Sequence, residues 1–167
     1  MTRFLRSSKF WLPGRALLVV ISLSLAGAAL AQTAQKRLAT GGAEEPVFHD
    51  YRGVKLGWLA DDVRKKLGDP ANKADDQDYY EFGQNERAQV YYDKATREVT
   101  AISVDFIGTG TGVLTPQQVF GADFETKSDG SKSKLVRYPK AGYWVSYSRT
   151  AGDNPIISVT MQKLPPQ

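Results

Sequence analysis

The sequence predicts an α+β fold: two tandem units, each a helix followed by a three-stranded antiparallel meander, with the helices packed on one sheet face. Three observations predict it. Val54 to Pro70 carries the turn, apolar stripe and stop signals of a short helix. Val99 to Ile107 alternates cleanly between apolar and polar residues, as a half-buried strand does. After a glycine-rich break over 108–114, the same order of elements begins again.

In the first unit, 51–107, Tyr51 to Leu56 is expected as a short strand or an extended arm. Gly57 then turns the chain into a helix whose Leu59, Val63 and Leu67 recur at i, i+4 and i+8 and form one apolar stripe. Asp61 and Asp62 suit the positive end of the helix dipole, while Arg64, Lys65 and Lys66 suit the negative end. Gly68 and Pro70 stop it. Strands are expected over Asp78–Gly83, Ala88–Asp93 and Val99–Ile107, joined by Gln84-Asn85-Glu86 and by Lys94-Ala95-Thr96-Arg97. Such short connections favour antiparallel neighbours. In the third strand Ile102, Val104 and Phe106 share one face, and Ala101, Ser103 and Asp105 the other.

The second unit, 115–163, opens on Thr115-Pro116, a capping residue before proline at the first helical position, and its helix stops at Gly121. Leu135–Tyr138, Gly142–Arg149 and Ile156–Gln162 are its expected strands. Six strands with two helices on one side leave the other sheet face open.

The charge pattern bears on partners. The chain has 167 residues, no cysteine and a net charge of +4, yet four of its 22 basic residues (Arg3, Arg6, Lys9 and Arg15) precede position 31, where there is no acid. The remainder holds 18 basic against 18 acidic residues, so the basic pI gives a nucleic-acid partner no support. Residues 1–31 read as a signal peptide: basic residues up to Arg15, an apolar run from Ala16 to Leu25, and Ala29-Leu30-Ala31 ahead of a cut before Gln32. The expectation is a periplasmic or secreted protein with no lipoprotein cysteine. It would meet a membrane only through a partner or an uncleaved leader. Residues 32–50, small and polar, read as a flexible lead.

Leu56-Gly57-Trp58, Asp61-Asp62-Val63 and Leu67-Gly68-Asp69-Pro70 together resemble the Gly-Met-Thr…Val…Leu-Gly-x-Pro segment of the SmpA/OmlA outer-membrane assembly proteins. The tandem helix-plus-meander plan is similar to that of the β-lactamase inhibitor proteins. The resemblance implies an envelope-accessory or inhibitor-like protein-binding role. Trp58-Leu59 stands where those assembly proteins have Met-Thr, their lipoprotein cysteine is missing, and no binding residue of either family has a counterpart here.

Motifs for chemistry are poor. His49 is the one histidine and there is no thiol, which excludes His/Cys metal sites and a cysteine nucleophile. Asp75, Asp76, Asp78 and Glu81 form an acidic cluster without the glycine and terminal glutamate of a calcium loop, so it reads as a solvated loop. Ser131-Lys132-Ser133-Lys134 matches a Ser-x-x-Lys motif, but after Asp129-Gly130 it leads into a strand rather than a helix. Gly108, Gly110 and Gly112 lack the lysine of a phosphate loop and read as a hinge.

The aromatic residues remain. If Tyr143, Val145 and Tyr147 face the core, Trp144, Ser146 and Ser148 face the open side of the sheet. Trp144, Tyr91, Arg137 and Ser146 are therefore the candidate protein-binding residues, since Trp, Tyr and Arg dominate interface hot spots. No catalytic residue, metal or cofactor is expected. The reading is a non-enzymatic protein-binding or envelope-accessory domain. Its alternatives are a small-ligand or lipid-binding periplasmic protein, with the ligand between the units, and a small hydrolase.

Overall fold

The structure, a computed structural model, describes residues 45–165. It is mostly one antiparallel sheet of seven strands with two short helices, an α+β fold. The elements run α1 (Ala60–Leu67), β1 (Asn72–Lys73), β2 (Gln77–Glu81), β3 (Glu86–Tyr92), β4 (Val99–Ile107), α2 (Pro116–Phe120), β5 (Lys132–Tyr138), β6 (Tyr143–Arg149) and β7 (Ile156–Lys163). Across the sheet the order is β1-β2-β3-β4-β7-β6-β5, so β4 and β7 meet at the middle. The signal peptide expected over 1–31 lies outside the described residues. Among the described residues no helix is long and apolar enough to cross a membrane.

Strand alternation divides the sheet into two faces. Val104 pairs with Ala88 on one side and Val159 on the other, and Ile102 with Val90 and Met161, so these side chains share one face. Tyr147 and Val145 continue it on β6. Both helices pack here: Arg64 of α1 reaches Asp78 of β2, and Phe124, just after α2, lies edge-on to Tyr147 at 5.7 Å. Val63 and Val119, one from each helix, are fully buried in this core.

The helices begin in different ways. α2 has the expected threonine cap, and the structure extends it to a capping box, with Thr115 Oγ1 accepting from the Gln118 amide and Gln118 Oε1 accepting from the Thr115 amide; Gly121 closes the helix in the left-handed region. α1 has no side-chain cap. The Ala60 amide instead donates to the Arg97 carbonyl at 3.0 Å, so the β3–β4 loop caps it from outside. This long-range cap shifts the buried stripe. Ala60, Val63 and Leu67 face the core, whereas Leu59, expected in the stripe, sits before the first turn and is 51% exposed.

Three more expectations change. Tyr51–Leu56 is not a strand: Tyr51 and Val54 exchange backbone hydrogen bonds of 3.0 and 2.9 Å around Arg52 and Gly53, both at positive φ. That tight turn drives Tyr51 and Val54 into the core. Phe48 joins them, so the expected flexible lead is already packed at its C-terminal end. The sheet also gains β1, because Ala74 folds back to donate to the Gln77 carbonyl.

The acidic cluster is the largest correction. Asp78 points into the helix-covered side and is fully buried, the one buried charged residue among those described. Arg64 grips it with two bonds, Nε to Oδ2 at 2.8 Å and Nη2 to Oδ1 at 2.9 Å. Tyr92 and Tyr80 donate to the same carboxylate at 2.8 and 3.4 Å. A buried ion costs several kcal/mol to desolvate, and only complete pairing offsets it. Replacing Arg64 by Ala leaves Asp78 without its cation and is expected to destabilise the fold by about 3–5 kcal/mol, read by denaturant unfolding. A loss under about 1 kcal/mol would show that the pair does not hold helix to sheet.

Candidate functional site

The face opposite the helices carries no packed element among the described residues. Its composition follows from register. One cross-strand row reads Arg137, Trp144, Gln162, Ala101, Tyr91, Gln77 from β5 to β2. The next reads Leu135, Ser146, Thr160, Ser103, Gln89, Tyr79. The four candidate residues thus lie on one face, in two adjacent rows. Trp144 is directly opposite Arg137, Ser146 lies between Leu135 and Thr160, and Tyr91 shares Trp144's row.

Three strand spacings separate Tyr91 from Trp144, about 14 Å. Between them Ala101 and Gln162 make a low floor, and Ala101 is buried there although it is not part of the helix-side core. A hollow of about 560 Å³ opens on this floor, lined among others by Tyr91, Ala101, Ser103, Thr160 and Gln162. Its Ser103 and Thr160 hydroxyls bond each other at 2.9 Å and Tyr91 donates to Gln89; beside the hollow, Ser158 donates to the Asp105 carboxylate at 2.5 Å. Between their ends these two rows are neutral and polar, while the row beyond them carries Glu81, Arg87 and Asp105. An Asp76–Lys94 pair at 3.1 Å stands at one end and exposed Arg137 at the other.

Sequence reasoning missed Leu135, 55% exposed on this face beside Trp144's strand. The signal was there in β5, where Lys134 and Val136 face the helices and so turn Leu135 outward.

Elsewhere titratable groups act as structural ties. Burial and the neighbouring Asp78 charge push the Tyr80 phenol up to about 12, and burial with the Asp78 hydrogen bond raises Tyr92. Both phenols are therefore protonated donors at neutral pH. The Asp78 hydrogen bonds raise the Arg64 guanidinium further above its ordinary range. A second cluster pins the 48–54 turn: Tyr51 donates to Glu86 at 2.6 Å, and Arg52 pairs with Glu86 at 2.7 Å while covering the Phe82 ring at 4.1 Å.

His49 is exposed, with Nδ1 donating to the Val47 carbonyl at 3.0 Å and Nε2 3.2 Å from Asp50. Ser133 and Lys134 lie in β5, and Lys132 pairs with Asp123 at 2.8 Å. Among the described residues no group of three or more His, Cys, Asp or Glu side chains is placed to hold a metal ion. A further hollow, about 630 Å³, opens on the outer side of α1 between Trp58, Leu59, Asp62, Lys65 and Lys66, not between the two halves of the sheet.

What fold and face define is the class: an antiparallel sheet with one covered and one bare side, the bare side carrying aromatic, polar and a few charged groups. No family model, curated protein or solved structure matches the chain.

Burial alone would raise the Glu86 carboxyl, but the hydrogen bonds from Arg52 and Tyr51 outweigh it and hold the group below its ordinary 4.5. Its folded value being depressed, the stabilisation is complete above pH 4.5 and is lost as pH falls through the lowered folded value. Glu86→Gln should therefore melt below the wild type at pH 7, with the gap closing in titrations below about pH 4. A gap independent of pH would mean that the Glu86 charge contributes nothing.

Proposed function

We propose that this chain is an exported, non-enzymatic protein-binding domain that takes its partner on the bare sheet face. One observation carries the reading: Trp144 and Tyr91 stand in one cross-strand row, with Arg137 beside Trp144 and a low floor between the rings. Large amphipathic rings set around neutral hydroxyl and amide groups suit a desolvated protein contact, where aromatic and arginine anchors carry most of the energy. The partner lies in the cell envelope, following the leader over 1–31. An outer-membrane assembly role rests on the resemblance of Leu56–Pro70 alone.

The two halves read as a tandem repeat. The first runs helix, the two-residue β1 and the meander β2-β3-β4, the second helix and the meander β5-β6-β7, and the halves join antiparallel through their last strands, β4 and β7. Buried Val90, Tyr92 and Val104 are followed, at one constant offset along the chain, by buried Val145, Tyr147 and Val159. A duplicated unit paired in this way has a two-fold axis normal to the sheet, and its helices fall on the same side.

A second reading, a small apolar ligand, has one observation in its favour: exposed Leu59 beside Trp58 in the hollow on α1.

The test is cross-linked capture from the envelope with a C-terminally tagged chain, wild type against Trp144→Ala. Loss of a hot-spot aromatic costs about 2 kcal/mol or more, so recovery of the partner should fall by roughly 30-fold. Circular dichroism should stay unchanged, and mass spectrometry of the captured chain should place its first residue at Gln32. Equal recovery with both chains removes the sheet face from the reading. Unfolding of the variant makes Trp144 a packing residue instead.

A further inference from the structure

The two edges of the sheet are unlike. On one, β1 is two residues long and shields β2. On the other, β5 runs seven residues, and among the described residues no strand pairs with its outer side. Such an edge presents a row of unpaired amides and carbonyls, a template for another strand. Lysines on an edge ordinarily repel an approaching strand. Here they are drawn back over the helix side: Lys132 Nζ lies 2.8 Å from Asp123, and Lys134 Nζ 5.0 Å from the centre of the Phe120 ring. Leu135 stands mid-strand and 55% exposed.

We propose that β5 pairs with β5 of a second copy of this chain, antiparallel about a two-fold axis at Leu135, joining two sheets edge to edge. Leu135 is the midpoint of β5, so a two-fold there pairs all seven residues of the strand with their own copy, and the residue order suits that register. Centred on Leu135, Leu135 meets Leu135, Lys134 meets Val136, Ser133 meets Arg137 and Lys132 meets Tyr138. Every cation faces a neutral residue. Opposed residues must share a face, so the next registers are centred on Lys134, which sets that lysine against itself, or on Val136, which leaves Lys132 and Ser133 without partners in β5; like charges directly opposite are destabilising. The contact is the same patch on both copies, so it closes at a dimer. It leaves the bare face free and stands independently of the binding role proposed for Trp144.

The chain has no cysteine, so Leu135→Cys introduces its only thiol. Residues opposite one another in an antiparallel pair have Cα atoms about 4.5–5.5 Å apart, within disulfide reach. Under mild oxidation the full chain carrying Leu135→Cys should become a covalent dimer, and a control thiol at exposed Ile156, on β7, should not. In sedimentation the wild type should run as a dimer. Leu135→Lys, which replaces a Leu–Leu contact with facing lysines, should weaken association at least about tenfold with unchanged circular dichroism. A monomeric wild type, or Leu135→Cys cross-linking no better than Ile156→Cys, overturns the proposal. A dimer that Leu135→Cys fails to cross-link uses another surface and overturns it equally.

Discussion

The rest of the structure depends on the Arg64–Asp78 pair. An aspartate on a β-strand would ordinarily face water. Asp78 instead takes an inward position on β2, between Gln77 and Tyr79, which both face the bare side, and so obliges a cation to come down onto the covered side of the sheet. α1 supplies it. The two-pronged grip of Arg64, with Tyr92 and Tyr80 filling remaining lone pairs, fixes both the position and the rotation of the helix. A purely apolar stripe of Ala60, Val63 and Leu67 would tolerate some rotation; the guanidinium fork does not.

The placement of both helices on one side follows through to the surface. With α1 anchored by Asp78, and α2 by Phe120 and Phe124 against Tyr147, the sheet spends its apolar residues on one face. The other is left mostly to Ser, Thr and Gln, a few aromatics, the charged Glu81, Arg87, Asp105 and Arg137, and scattered apolar residues such as Leu135 and Ile156. A hydroxyl floor such as Ser103 and Thr160 stays soluble, because its groups bond to one another and to water. Trp144 and Tyr91 stand above it as rigid rings that lose little entropy on being covered. A surface of this kind can be kept by a monomer and still be desolvated by a partner.

Much of this was legible in the residues. β4 occupies the stretch that its alternation announces, α2 is bounded by its own threonine and glycine, and the outward turn of Trp144 follows from Tyr143, Val145 and Tyr147 facing in. These features are local: strand period, cap chemistry and side-chain alternation each act within a few residues. What stayed hidden depends on distant parts of the chain. The cap of α1 comes from the Arg97 carbonyl, which no residue near Leu59 reveals. Asp78 looks like one more loop acid until the register of β2 and the reach of Arg64 are known. The turn at Arg52-Gly53 was missed because Arg52, unlike glycine, seldom takes a positive φ; its pairing with Glu86 and its cover over Phe82 hold it there. Leu135 opens its expected strand, and which face it takes follows from the alternation of β5 once Val136 is placed opposite Val145.

Hydroxyl-radical footprinting of the native protein tests the central claim, one covered face and one bare face, most directly. Met161 is among the most oxidisable of side chains but is fully buried on the helix side, while Trp144 and Tyr91 lie on the other. Trp144 and Tyr91 should label rapidly, with Met161 untouched until the protein is unfolded. Met161 oxidised as fast as Trp144, or Trp144 protected in the free protein, would contradict it.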